Sequence, residues 1–223
     1  MQDETFRTRP EQEADIVDEA IKLFIDEMGT PIAQKAVPTS SIVRYSKILP
    51  ERLLNYWHDY GWSGHADGIF WIVDPQEYEG IVSTWLKDTA FETLDTYHVI
   101  ARTAFGTPYL WGEKTGQSLT IDSCYSRYGY QEQGTTAEDL DRQCMSFFIS
   151  TTFEFSDFLD LFAPAKRKLG ILQSDEMYGF VPALMIGGSE DLKNLEKLKI
   201  IEHLMFLAQL APLEPFTLAD LYP

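Results

Sequence analysis

The chain has 223 residues, with 35 acidic against 18 basic side chains and a formal net charge of −17. Hydrophobic residues make up 44% and aromatics 13%, a globular composition, and the length allows one large domain or two small ones. The charge argues against direct binding to nucleic acid or to an anionic membrane surface, and no apolar run approaches the ~20 residues needed to span a bilayer.

Residues 1–10 are polar and lack the apolar stretch of a signal peptide, so a cytoplasmic location is expected. Cys124 and Cys144 are the only cysteines. In a reducing compartment two packed free thiols are expected, with a disulfide between them as the alternative. The acidity is spread: residues 1–30 carry nine acids and three bases, and most of the excess lies in the first 160 residues. Such a surface serves solubility, or it meets a basic partner and speeds its capture.

The periodicity predicts a first helix over residues 11–28. Ile16, Val17, Ala20, Ile21, Phe24, Ile25 and Met28 lie on one face, with acids such as Asp18, Glu19 and Asp26 on the other. Gly29 and Thr30-Pro31 end it. A second helix begins near Pro50, buries Leu53, Leu54 and Trp57, and closes at Gly61. Residues 61–68 hold three glycines and read as a turn-rich loop, with Trp62 the tryptophan expected at the surface.

A short apolar strand follows over 69–73. Asp74, Pro75 and Glu77 then form a helix start of capping-box type, before Tyr78, Ile81, Val82, Trp85 and Leu86 at helical spacing. Residues 97–105, 109–111, 117–121 and 124–130 are rich in β-branched and aromatic residues and bounded by glycines or proline, which predicts an antiparallel meander. Residues 131–141 read as an acidic surface loop and 145–149 as a further strand. A helix is expected to start over 157–162, with a restart at Pro164 and an end at Gly170. Ser189 is the expected N-cap of a long helix over 190–210, its stripe built from Leu192, Leu195, Leu198, Ile201, Leu204 and Leu207 and its end set by Pro212.

The search for chemistry is nearly empty. His58, Asp59, His65 and Asp67 fall within ten residues, but their spacing fits no familiar ligand set, so no metal site and no cofactor are expected. No serine, cysteine or threonine sits in a nucleophile signature. Gly187-Gly188-Ser189 lacks the lysine of a phosphate loop and reads as a turn into a helix. Asp175-Glu176, beside Tyr178, is the one carboxylate pair; adjacent residues point apart more often than they cooperate in acid–base work.

Two blocks carry a resemblance. The first is Leu49-Pro50-Glu51-Arg52-Leu53-Leu54, then Trp57, Gly61-Trp62, Gly68-Ile69-Phe70-Trp71-Ile72-Val73-Asp74-Pro75 and Tyr78. It continues with Ala104-Phe105-Gly106 and Tyr109-Leu110-Trp111-Gly112. This block resembles the GAD-like domain. The second is Leu161-Phe162, Ala165 and Leu169-Gly170, then Asp175-Glu176-Met177-Tyr178-Gly179-Phe180-Val181-Pro182-Ala183-Leu184, Gly187-Gly188 and Glu202-His203-Leu204. It resembles the C-terminal domain of Tdi-type immunity proteins of type VI secretion systems.

The resemblance implies an α+β protein with an antiparallel sheet flanked by helices and a mainly helical C-terminal part. The blocks divide as residues 1–120 and 121–223, with the strands at 97–130 in one of them or in a sheet shared by both. It further implies a non-catalytic immunity protein, resident in the cytoplasm, that binds and neutralises a cognate toxin effector, a nuclease of the DNase kind. The chain itself would touch neither nucleic acid nor membrane. Candidate partner-binding residues are Asp175, Glu176 and Tyr178 from the second block and Asp18, Glu19 and Asp26 from the first helix. Two other readings stand beside it: an adaptor that loads an effector without inhibiting it, and a hydrolase using Asp175 and Glu176 or His65.

Overall fold

Where a carboxylate precedes an apolar stripe, the free amides at a helix start have an acceptor, and the first helix begins on one. In the computed structural model, which describes residues 18–216, Asp18 accepts from the amides of Ala20 at 2.9 Å and Ile21 at 3.3 Å. Helix α1 spans Glu19–Met28 and buries Ala20, Ile21, Phe24 and Met28. It ends at Gly29, where φ is +74°. The expected turns over 11–17, with Ile16 and Val17, lie outside the described residues.

A short strand β1 (Ile32–Lys35) and helix α2 (Thr39–Tyr45) follow, neither anticipated from sequence. Helix α3 (Glu51–Tyr60) buries Leu53, Tyr56 and Trp57, with Pro50 as its N-cap rather than its first residue. The expected loop after Gly61 is instead strand β2 (Trp62–His65), every residue of it buried. Trp62 lies in the core, not at the surface. Gly64 is there for space: a Cβ at this position would lie 3.0 Å from the indole ring of Trp71.

Strand β3 (Phe70–Ile72), a 3₁₀ turn over Pro75–Tyr78 and helix α4 (Glu79–Leu86) follow. Asp74 caps that turn through the Gln76 amide at 3.0 Å, while Glu77 pairs with Lys35 instead of closing a capping box. After the single turn α5 (Phe91–Leu94) come strands β4 (Tyr97–Thr103), β5 (Pro108–Gly112), β6 (Gly116–Asp122) and β7 (Arg127–Tyr130). This is the meander expected for the region.

Residues 145–149 are not a strand. Helix α6 runs over Ala137–Ser150 from a capping box in which Thr136 and Asp139 satisfy each other's amides. Its buried residues are Gln143, Cys144, Phe147 and Phe148. Helices α7 (Phe153–Ser156) and α8 (Phe162–Leu169) follow, so the stretch 157–161 is a turn between helices and Pro164 sits in the first turn of α8. Gly170 ends α8 as expected, with φ +84°.

The long helix expected over 190–210 is replaced by a hairpin and a shorter helix. Strand β8 (Glu176–Phe180) pairs antiparallel with β9 (Leu195–Lys199), and helix α9 covers Ile200–Leu207. Opposite charges across the hairpin, Lys197 with Glu176 and Lys199 with Asp175, favour the strand pairing. Strand β10 (Glu214–Pro215) joins β7 in parallel. The large sheet is ordered β1-β2-β3-β4-β5-β6-β7-β10, antiparallel throughout β1 to β7.

Helices cover both sides of this sheet. On one, Phe70 meets Phe24 of α1 at a centroid distance of 5.9 Å and Phe147 of α6 at 6.1 Å. Trp71 points to the opposite side, as alternation along a strand requires, and lies under the Arg102 guanidinium at 4.9 Å. The β8–β9 hairpin and α9 are built into this core. The Tyr178 amide donates to Ala104 O at 2.9 Å, and Trp85 Nε1 donates to Leu204 O at 3.2 Å. Gly106, at φ +83°, leaves room for the Met177 and Leu204 side chains. Cys124 and Cys144 are both free and buried, and burial pushes both thiols well above the usual range.

Candidate partner-binding surface

The residues singled out in the sequence have different fates. Tyr178 is fully buried and its hydroxyl donates to Gly170 O at 2.7 Å, which makes it a member of the core. Asp175 and Glu176 stand at the start of β8. Asp175 pairs with Lys199 at 2.5 Å, and the ammonium holds its carboxyl below the usual range. Glu176 accepts from the Gln173 amide at 2.9 Å and lies 3.4 Å from Lys197. Each charge is therefore matched within the hairpin. A general acid needs a raised pKa, the opposite of what Lys199 does to Asp175.

His65 belongs to a buried chain of hydrogen bonds. Its Nδ1 donates to Gly29 O at 3.0 Å, so its Nε2 accepts from the Tyr56 hydroxyl at 2.5 Å, and Ser63 Oγ donates to Tyr56 at 2.8 Å. Burial lowers its pKa from 6.5 to about 4, which keeps the ring neutral. His58 and Asp59 pair with each other on the exposed side of α3, and Asp67 pairs with Lys166. An open cleft of about 530 Å³ lies between α2, α4 and β4. Two pairs of its charged residues are matched, Arg44 with Glu79 at 2.5 Å and His98 with Glu113 at 3.0 Å.

Exposed acid also lies on α1. Asp18 is committed to the α1 cap and to Arg52, which it shares with Asp141. Beyond it, Glu19, Asp26 and Glu27 are exposed along α1. Arg52 ties the starts of α1 and α6 together, and one to two turns later Phe24 meets Phe148 at 5.4 Å. The two helices therefore run parallel and end on the same side. There the chain continues into α7 with Phe153, Glu154 and Phe155, all exposed. Acid and aromatic side chains thus share one end of the helical layer. Only the α1 acids carried a sequence signal; nothing in the sequence separated exposed Phe155 from Phe158, which packs inward on Phe105.

The arrangement is that of a mixed α/β protein with a large antiparallel sheet and a largely helical C-terminal region. Two stretches of it match known family models. Residues 19–125 match the GAD-like domain, and residues 141–211 match the family described as T6SS immunity protein Tdi1, C-terminal. The two matches follow one another along the chain, the GAD-like one first and the Tdi1 C-terminal one second. That second match supports an immunity-protein role; it implies a cognate toxin effector as partner and suggests a role without catalysis. A crystal structure of Atu4351 from Agrobacterium tumefaciens has the same fold, with a TM-score of 0.78 at 20% identity over 89% of this chain and 94% of that one. No curated protein matches the chain. Among the described residues no helix is long and apolar enough to cross a membrane.

Proposed function

We propose that this chain is a cytoplasmic immunity protein that binds one copy of its cognate type VI secretion toxin, a DNase, and neutralises it. The match of residues 141–211 to the Tdi1 C-terminal family carries the reading. Charge supports the nuclease part. A DNase offers phosphates a positive groove, and a partner of net charge −17 is drawn to that groove. Glu19 and Asp26 are the contact acids of this reading, because α1 holds them exposed while Asp175 and Glu176 are matched by lysines. Residues 1–120 and 121–223 act as one binding unit in it, since Arg102 and Ala104 are hydrogen-bonded to Ser174 and Tyr178.

Viability tests the proposal. Expression of the protein encoded beside this one is expected to kill a host cell by degrading its DNA, and co-expression of this chain is expected to restore growth. Death that persists alongside a stable complex would favour an adaptor that loads the effector without inhibiting it.

A further inference from the structure

The segment from the last turn of α6 through the turn after α7 exposes Ile149 by 47%, Phe153 by 37%, Phe155 by 81% and Leu159 by 60%. Exposed apolar side chains scattered singly are ordinary; four within eleven residues form a patch that asks for a cover. The patch is held in place rather than loose. Phe158 turns inward and packs on Phe105, Tyr125 and Phe180 at centroid distances of 5.6, 5.9 and 5.3 Å. Thr152 Oγ1 accepts from the Phe155 amide at 3.3 Å, and Asp157 Oδ1 accepts from the Phe162 amide at 2.8 Å.

The backbone is also strained there. Leu159 and Asp160 take φ of +50° and +57° in succession, and Leu159 is the one large apolar residue among the described residues with a positive φ. Leucine in this region is strained, and strain of this kind gathers at binding sites. Water gives no return for holding a phenylalanine and a leucine outward in this way. Glu154 and Asp157 lie between the apolar residues, Asp160 follows them, and Asp26 and Glu27 end at the same side on α1.

We propose that this acid-ringed apolar knob, with Phe155 at its apex, is the anchor by which the chain docks on its effector; the inference rests on the immunity reading above. The occupant is a protein surface with an apolar pocket bordered by lysines and arginines. Charge complementarity selects it: a second copy of this acidic chain would bring like charges together, whereas a nuclease carries basic residues beside its cleft. An aromatic anchor desolvated at the centre and acids at the rim are the expected division of labour, the first setting the dissociation rate and the second the association rate.

The test measures binding of the purified chain to the effector encoded beside it. Phe155→Ser is expected to weaken binding by ~30-fold or more through faster dissociation, as for a central anchor residue. Leu159→Ser is expected to weaken it less, and Glu154→Lys to slow association in a salt-dependent way. Val43→Ser alters an exposed apolar residue of α2 outside the patch and is expected to leave binding unchanged. Thermal midpoints equal to the wild type establish that the variants fold. Wild-type binding with Phe155→Ser and Leu159→Ser within about twofold of it would overturn the anchor and leave the immunity reading standing. Absence of wild-type binding would overturn both.

Discussion

Replacing Arg102 by alanine is expected to lower the unfolding free energy by about 3–5 kcal/mol, read from urea denaturation at neutral pH. Arg102 is fully buried on β4. Its Nη2 donates to Ser174 O at 2.8 Å and its Nη1 to Thr103 O at 3.2 Å, while the guanidinium lies over Trp71. Ser174 stands just before β8, so this one side chain ties the GAD-like sheet to the immunity hairpin. Alanine would leave a large cavity and an unsatisfied carbonyl. Arg102→Met is expected to recover most of the loss, because it fills the volume without burying a charge, and burial already lowers the Arg102 pKa. A change under about 1 kcal/mol for alanine would mean that the two regions are held by their apolar contacts alone.

The second large effect is on pH dependence. His65 titrates near 6.5 when unfolded and at about 4 in the fold, where it is neutral and hydrogen-bonded on both ring nitrogens. Between those values the unfolded chain binds the extra proton, so stability rises with pH. The contribution is complete above about pH 6.5 and is lost as pH falls toward 4; it amounts to about 3 kcal/mol, of which about 2 kcal/mol is gone by pH 5. His203, also lowered by burial, adds in the same direction. Comparison of wild type and His65→Gln at pH 7 and pH 5 isolates the His65 part. The variant is expected to lose the steeper fall of the wild type over this interval, and equal falls in both would contradict the assignment.

Both effects rest on residues whose importance the sequence did not announce. Glycine-terminated amphipathic helices were legible, as at Gly29, Gly61 and Gly170, and so was the β-rich meander over 97–130. Ambiguity of single residue types defeated the rest. Gly64 looked like a turn residue, but it marks the close approach of Trp71 to a buried strand. The α6 stripe uses Gln143 and Cys144 beside its phenylalanines, which hides a helical period from a count of apolar residues. Leucines three apart in 192–207 suit a helix, yet they serve β9 and then α9, because the strand has a partner in β8 that local pattern does not reveal.

The candidate surface was half legible for a related reason. Charge on α1 can be read from its helical face, but whether a charge is matched depends on residues far away in sequence. Asp175 and Glu176 meet lysines more than twenty residues on. Phe153, Phe155 and Phe158 are alike in sequence, yet Phe158 packs inward on Phe105 while Phe155 stands in solvent. Tyr178 fell in the most recognisable run of the chain because it builds the fold.

The most direct measurement is a titration of DNA degradation. Purified effector from the adjacent gene would be held at fixed concentration with duplex DNA, and this chain added in steps. The account predicts that degradation falls linearly and stops near one equivalent, with a complex of one copy each. Undiminished degradation in the presence of excess chain would contradict it.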